Sequence, residues 1–304
     1  MIKVEQGSSL YYSLLWTDLE SRDRFIRRLN LVHALSTTLD DVQEQDVAQK
    51  KIHWWHEELE RMCQGESRHP STKDCQAEAI NVTKRYPKPS ENPFLSTCLS
   101  LLSSVSTARL QPAETIAERD QQLIQNFQAR LALLSHALSN DSKDLDTDTH
   151  PEQSAEALAK HEQLTRLPAL IHRGHAVFSD ETYRAHNVSP KDLAAGIRVA
   201  SDMNSETAND DSSLSGIPII EEKLGKQTLL TSAIEDAHAT LIKATVSVNV
   251  SKRYRNAPLL PLWRLLVLRR KQLALWQKKQ PDLLTEHMAL TPIAKLFHAW
   301  CNRR

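Results

Sequence analysis

The sequence predicts an all-α chain forming one domain over residues 1–304, and three observations carry that prediction. Glycine occurs only 6 times, where an average chain would have about 7%. Clustered glycines of a phosphate-cradling loop are absent, and so are the turn glycines of a many-stranded sandwich or barrel. Apolar residues recur at three- and four-residue spacing through most of the chain. The segments so patterned start at capping residues and stop at glycine or polar breaks.

Residues 17–63 read as two or three helices, the first capped by Asp18 and carrying Leu19, Phe25, Ile26, Leu29, Val32 and Leu35. Val47 to Met62 follows with Ile52, Trp55, Leu59 and Met62 on one face, and Gly65 stands where a helix stops. A short helix near 73–82 and a loop lead to a helix from Phe94 to Leu110. A long helix from Pro112 to Leu138 presents Ile116, Leu123, Ile124, Phe127, Leu131 and Leu134 as its core face. Residues 140–156 are acidic and read as a flexible loop or insertion, with helix again over Ala155–Arg173. His175 to Pro190 reads as irregular, and Ser189-Pro190 opens a helix to about Met203. A second flexible loop spans 202–217, helix covers Leu224–Val250, and a short helix follows Thr291-Pro292.

Lysine plus arginine number 38, matched by 38 acids, so the charge balance argues for no nucleic acid as partner. The four cysteines (Cys63, Cys75, Cys98, Cys301) show no C-x-x-C spacing, so neither zinc nor a disulfide framework is expected. The opening residues lack a leader pattern, and the apolar run Pro258–Val267, broken by Arg264, is too short to cross a bilayer. The expectation is a cytoplasmic protein, with peripheral contact to the inner membrane as a further possibility. That contact is placed in Lys252–Lys279, where nine bases and no acid interleave with leucines, Trp263 and Trp276. The alternative for this segment is a core helix whose arginines line an exposed rim.

Three groups of residues are candidates for chemistry. Asp40, Asp41 and Glu44 follow an apolar helix, and Asp40 and Glu44 at i, i+4 would share a helical face. Paired carboxylates suit Mg²⁺ carrying a diphosphate, since that ion takes one or two carboxylates plus substrate phosphates. A solvated helix end is the plain alternative. His53 and His56 stand at i, i+3 but lack a third ligand, so they read as surface groups beside Trp54 and Trp55. Ser9, Tyr11 and Tyr12, with Arg22, Arg24, Arg27 and Arg28, offer hydroxyls and guanidinium groups for phosphate oxygens, or else are ordinary surface groups. No nucleophile pattern can be placed, so no catalytic residue is assigned.

Ser9-Leu10-Tyr11-Tyr12-Ser13, Leu39-Asp40-Asp41-Val42-Gln43-Glu44 and Trp54-Trp55-His56-Glu57-Glu58-Leu59-Glu60, then Gly65 to Pro70, resemble ordered motifs of the squalene/phytoene synthase family. They look like its S-x-x-Y/F, D-D-x-x-D and W-W-R-E-E-L-E … G-x-x-x-H-P elements. Further on, His175 to Phe178 and Asn187-Val188-Ser189-Pro190-Lys191-Asp192-Leu193 are similar to G-R-x-Y-L-P and G-V-S-P-E-D-L. The resemblance implies a prenyl-synthase helical fold around a central cavity. In active members two acidic motifs hold Mg²⁺ while two prenyl diphosphates are condensed head to head. It implies metal ligation by Asp40, Asp41 and Glu44, and diphosphate binding by Ser9, Tyr12 and Arg22.

The departures change the expected function. The second acidic motif should fall at Leu164 to Gly174, a stretch with no carboxylate, and Pro168 is expected to disturb its helix. The arginine before the first motif is Thr37, that motif ends in Glu44 rather than Asp, and no A-G-x-x-G lies within Asn126–Leu138. Ionising an allylic diphosphate needs the several kcal/mol that metal neutralisation supplies. The expected function is therefore a non-catalytic prenyl- or lipid-binding or assembly-type protein, with Mg²⁺ weakly held or absent. An active Mg-dependent transferase is the alternative, in which Asp202, Glu206, Asp210 or Asp211 would replace the lost motif.

Overall fold

The computed structural model describes residues 4–42, 44–111, 113, 115–138, 152–172, 177–191, 193, 216–246, 259–281, 283–284 and 288–302. Among the described residues there is helix and no strand. The helices are α1 (Ser9–Ser13), α2 (Leu19–Ser36), α3 (Gln45–Gln64), α4 (Pro70–Arg85), α5 (Pro93–Leu110), α6 (Ile116–Leu138), α7 (Glu152–His172), α8 (Asp180–Ala185), α9 (Gly216–Val246), α10 (Leu260–Lys279) and α11 (Pro292–Cys301). The acids proposed as replacements, Asp202 to Asp211, lie outside the described residues, as do most of the two acidic segments and 252–258.

Local chemistry sets most boundaries. Asp18 accepts from the Ser21 amide at 2.8 Å to open α2. Asn92 accepts from the amides of Phe94 and Leu95 with Pro93 in the first turn of α5. Gly65 closes α3 at φ 90°, a left-handed conformation that costs glycine nothing. Several expected bounds move. Pro70 opens α4 behind a His69 cap, so that helix is longer than 73–82. Thr115 and Glu118 form a reciprocal capping box that starts α6 at Ile116, past Pro112, and leaves Ile116 40% exposed rather than in the core. Residues 152–156 belong to α7, not to the preceding loop, and α9 begins at Gly216, ahead of Leu224. Pro168 lies inside α7, which continues to His172. The ring stands in the last turns, where the missing amide removes one bond from an end that frays anyway.

The helices pack in a chain of neighbours. Helix α2 lies on α4, α5 and α6; α6 lies on α5 and α7; α7 lies on α9; and α9 lies on α10. Helix α10 closes the domain, touching α1, α7, α9 and α11. Its Leu262, Trp263, Leu266, Leu268, Leu273 and Trp276 are buried. The membrane reading of 252–279 needs these side chains at a surface, and over the described part they are core. The rim alternative needs correction too. Arg264 is 2% exposed and donates to the backbone oxygens of Ser13 and Asn302, at 3.1 Å each, so it ties both chain ends to α10. No described helix is long and apolar enough to cross a membrane.

Buried imidazoles make the fold acid-sensitive. His161 of α7 stacks on Trp276 of α10 at 5.7 Å between centroids and shares a hydrogen bond with Gln272. Burial holds it well below its ordinary value, and burial together with Arg28 brings His136 down to about 4. A base with a lowered folded pKa contributes full stability above its unfolded value, and that stability is lost as pH falls below it. Urea midpoints should therefore drop steadily from pH 6.5 toward 4, and a His161→Phe variant should show a shallower slope over that range.

Candidate functional site

The segment joining α2 to α3 carries the acidic motif. It is a run of turns and not a helical face. Thr37 ends α2 by donating its hydroxyl to the His33 carbonyl at 2.9 Å. Thr38 accepts a 2.6 Å bond from the Trp55 indole. The Asp40 amide then bonds the Thr37 carbonyl and that of Val42 bonds Leu39, both three-residue turns. Glu44 is extended at the start of α3, so the expected i, i+4 face of Asp40 and Glu44 does not form. Asp41 and Glu44 are exposed. Thr37 bonds back onto the last turn of α2, and Thr38 is held by the indole of α3.

Asp40 alone of the six predicted binding residues lines a cavity, of about 820 Å³, between this turn, α5, α6, α7 and residues 177–180. Arg166 of α7 stands opposite, its Nη2 2.6 Å from Asp40 Oδ2. Glu162, one turn earlier on α7, takes Arg130 of α6 at 2.8 Å and Arg166 at 3.5 Å. Burial would raise the Glu162 carboxyl, but Arg130 and Arg166 hold it below the usual value. Arg109 and Arg119 complete four guanidinium groups in the wall, against three carboxylates, Asp40, Glu162 and Asp180. Arg109 donates to the Val42 carbonyl at 2.7 Å, and Arg119 lies over the Phe178 ring at 5.4 Å. Leu39, Val105, Leu123, Phe127, Leu170 and Phe178 give the remaining wall an apolar character.

These donors do not suit a resident magnesium. The Asp40 carboxylate is engaged by a guanidinium, and Asp41 and Glu44 are exposed residues that do not line the cavity. Among the described residues no cluster of three acids, histidines or cysteines could hold a metal. Arg166 is the positive charge that faces Asp40 from α7.

The predicted diphosphate residues are elsewhere. Ser9 and Tyr12 belong to α1, which packs on α10 and α11, and Arg22 lies near the Tyr11 ring at 5.7 Å. Ser9, Tyr12 and Arg22 do not line the cavity. Arg24 donates to the Ala137 carbonyl, Arg27 pairs with Asp23 at the surface, and Arg28 is buried against Glu78, so none of the three lines the cavity. His53 pairs with Glu57 at the surface.

The tryptophan-and-glutamate motif is a corner of the fold. Glu58 is fully buried; its Oε1 accepts from the amides of Arg68 and His69, at 2.7 Å each, and from the Thr72 hydroxyl at 2.5 Å. The Trp55 ring lies 4.9 Å from that of His69. The motif thus joins the end of α3 to the start of α4 and presents nothing to the cavity.

The arginines that the sequence suggested for phosphate lie near the N-terminus, whereas the cavity's guanidinium groups come from α5, α6 and α7. A signal existed. Arg119, Gln122, Asn126 and Arg130 recur at helical spacing along α6, a polar stripe in an otherwise apolar helix. Glu162 and Arg166 repeat the pattern on α7. A scan against protein-family models and a search of curated proteins return no match to this chain.

Proposed function

We propose that the protein binds an anionic amphiphile of the prenyl-diphosphate type in this cavity, without a metal and without turning it over. The observation that carries the reading is the Arg166–Asp40 pair: a fixed guanidinium stands where the resembled fold would need a metal-binding acid. Arg119 and Arg109, which form no ion pair among the described residues, suit phosphate oxygens by charge-assisted donation. The apolar wall suits a hydrocarbon chain, and about 820 Å³ lies within the range of small-molecule sites. Asn187 supports the family resemblance: it stands where G-V-S-P-E-D-L has glycine and takes φ 51°, a left-handed conformation that asparagine tolerates.

Catalysis of head-to-head condensation does not suit this wall. Ionisation leaves a diphosphate whose charge must be neutralised as it develops. Static arginines, partly spent on Asp40 and Glu162, supply less of that than a metal cluster, and they hold the ground state as well as the transition state.

The test is titration calorimetry with farnesyl diphosphate in the presence of a chelator. Binding should persist without Mg²⁺. Arg119→Ala should weaken it about 10- to 100-fold, the value of one or two charge-assisted hydrogen bonds. Asp40→Asn should tighten it, because Arg166 is released from a competing anion. Magnesium-dependent product formation that is lost in Asp40→Ala would overturn the reading in favour of the transferase.

A further inference from the structure

Helix α11 is built inside out. Its inward side is Lys295 and Ala299, with the Lys295 ammonium donating to the Gly7 carbonyl at 2.7 Å. Its outward side is Ile293, Leu296, Phe297 and Trp300, at 81, 42, 58 and 48% exposure. That is an i, i+3, i+4, i+7 stripe, the spacing a surface helix normally turns to its core. Isolated exposed apolar residues need no explanation, but four large ones in one contiguous stripe do.

The helices that meet here carry charge of one sign. Helix α11 packs on α1 and α10, and none of the three contains an acid. Helix α10 contributes Arg269, Arg270 and Lys271; the last two lie close enough to His298 of α11 to help burial lower its pKa. The acids flanking α1 in the chain are Glu5 and Asp18. An apolar stripe edged by bases is complementary to a surface that is itself apolar beneath and anionic above.

We propose that α11 is an interfacial helix by which the folded protein lies on anionic lipid, its four apolar side chains entering the headgroup boundary. This places membrane contact on α11, whereas the leucines of α10 are core, and it is independent of what the cavity binds. A second copy of the chain is the weaker occupant. A ten-residue helix is about 15 Å long, and one face of it falls well short of the roughly 800 Å² per partner that a stable dimer needs.

The test uses the full-length protein and two vesicle types, phosphatidylcholine alone and an equimolar mixture with phosphatidylglycerol. Co-sedimentation should favour the anionic vesicles and weaken with salt. The double variant Ile293→Glu/Phe297→Glu should lose about tenfold or more of that partitioning, with an unchanged thermal melt because both side chains are exposed. Lys271→Glu should lower it less. Equal binding to both vesicle types, or anionic binding untouched by the double variant, would overturn the proposal. So would a wild-type dimer that the double variant converts to monomer, since the stripe would then be a self-interface.

Discussion

Replacing Glu58 with alanine should cost about 3–5 kcal/mol of folding stability, the range for removing one partner of a buried, hydrogen-bonded charge set. The side chain is fully buried, and its loss strands the amides of Arg68 and His69, while Thr72 keeps only the His69 carbonyl and Arg61 only Glu57. Urea unfolding followed by circular dichroism measures it as a lower midpoint. Glu58→Gln should fall between the two, because it keeps an acceptor but turns an NH₂ toward donors. The pH dependence has a definite sign. Burial would raise the Glu58 carboxyl, yet the bonds from Thr72, His69, Arg68 and Arg61 outweigh it and hold the pKa below the ordinary value. A carboxyl so lowered stabilises fully above its unfolded pKa and loses that contribution as pH falls through the folded one. Glu58→Gln should therefore lie furthest below the wild type at neutral pH and converge on it in acid. A variant as stable as the wild type at pH 7 would remove the α3–α4 corner from this account of the fold.

Arg28→Ala should have a comparable effect, about 3–5 kcal/mol, for a related reason. Arg28 is buried in α2 and forks onto Glu78 of α4, at 2.6 and 3.1 Å. It also donates to the Leu133 carbonyl of α6 at 2.8 Å and lies over the Phe94 ring of α5 at 4.7 Å. One planar group thus joins four helices. Arg28→Lys should recover little, because an ammonium cannot reproduce the two-pronged geometry. The joint exchange Arg28→Met with Glu78→Leu should be less damaging than Arg28→Ala alone, since it leaves no unpaired buried charge. Denaturant midpoints across these variants decide the matter; an Arg28→Ala loss below about 0.5 kcal/mol, typical of a surface site, would contradict it.

What could be read in the sequence was what is decided within a few residues. Asp18, Gly65 and Thr291 marked helix ends correctly because a cap bonds an amide or carbonyl only two to four positions away. Trp55, Leu59 and Met62 were placed inward because helical spacing alone puts them on one face. Pro168 stands inside α7 near its end, and the helix continues to His172, since proline acts on a helix only through its immediate turn.

The site depended on partners far apart in the chain. Asp40 and Arg166 are 126 positions apart, and no local rule assigns the charge that faces an acid across a cavity. Packing of α7 against α6 brings Arg130 onto Glu162, and the turn after α2 sets Asp40 against Arg166 of α7. The outward turn of α11 is decided in the same way. Its periodicity fixes which residues share a face, but the bond from Lys295 to Gly7, 288 positions away, decides that the lysine side faces in. Sequence by itself determined the helices and their faces, through interactions spanning one or two turns. Tertiary structure decided which faces meet, because charge pairing and burial depend on distance in space.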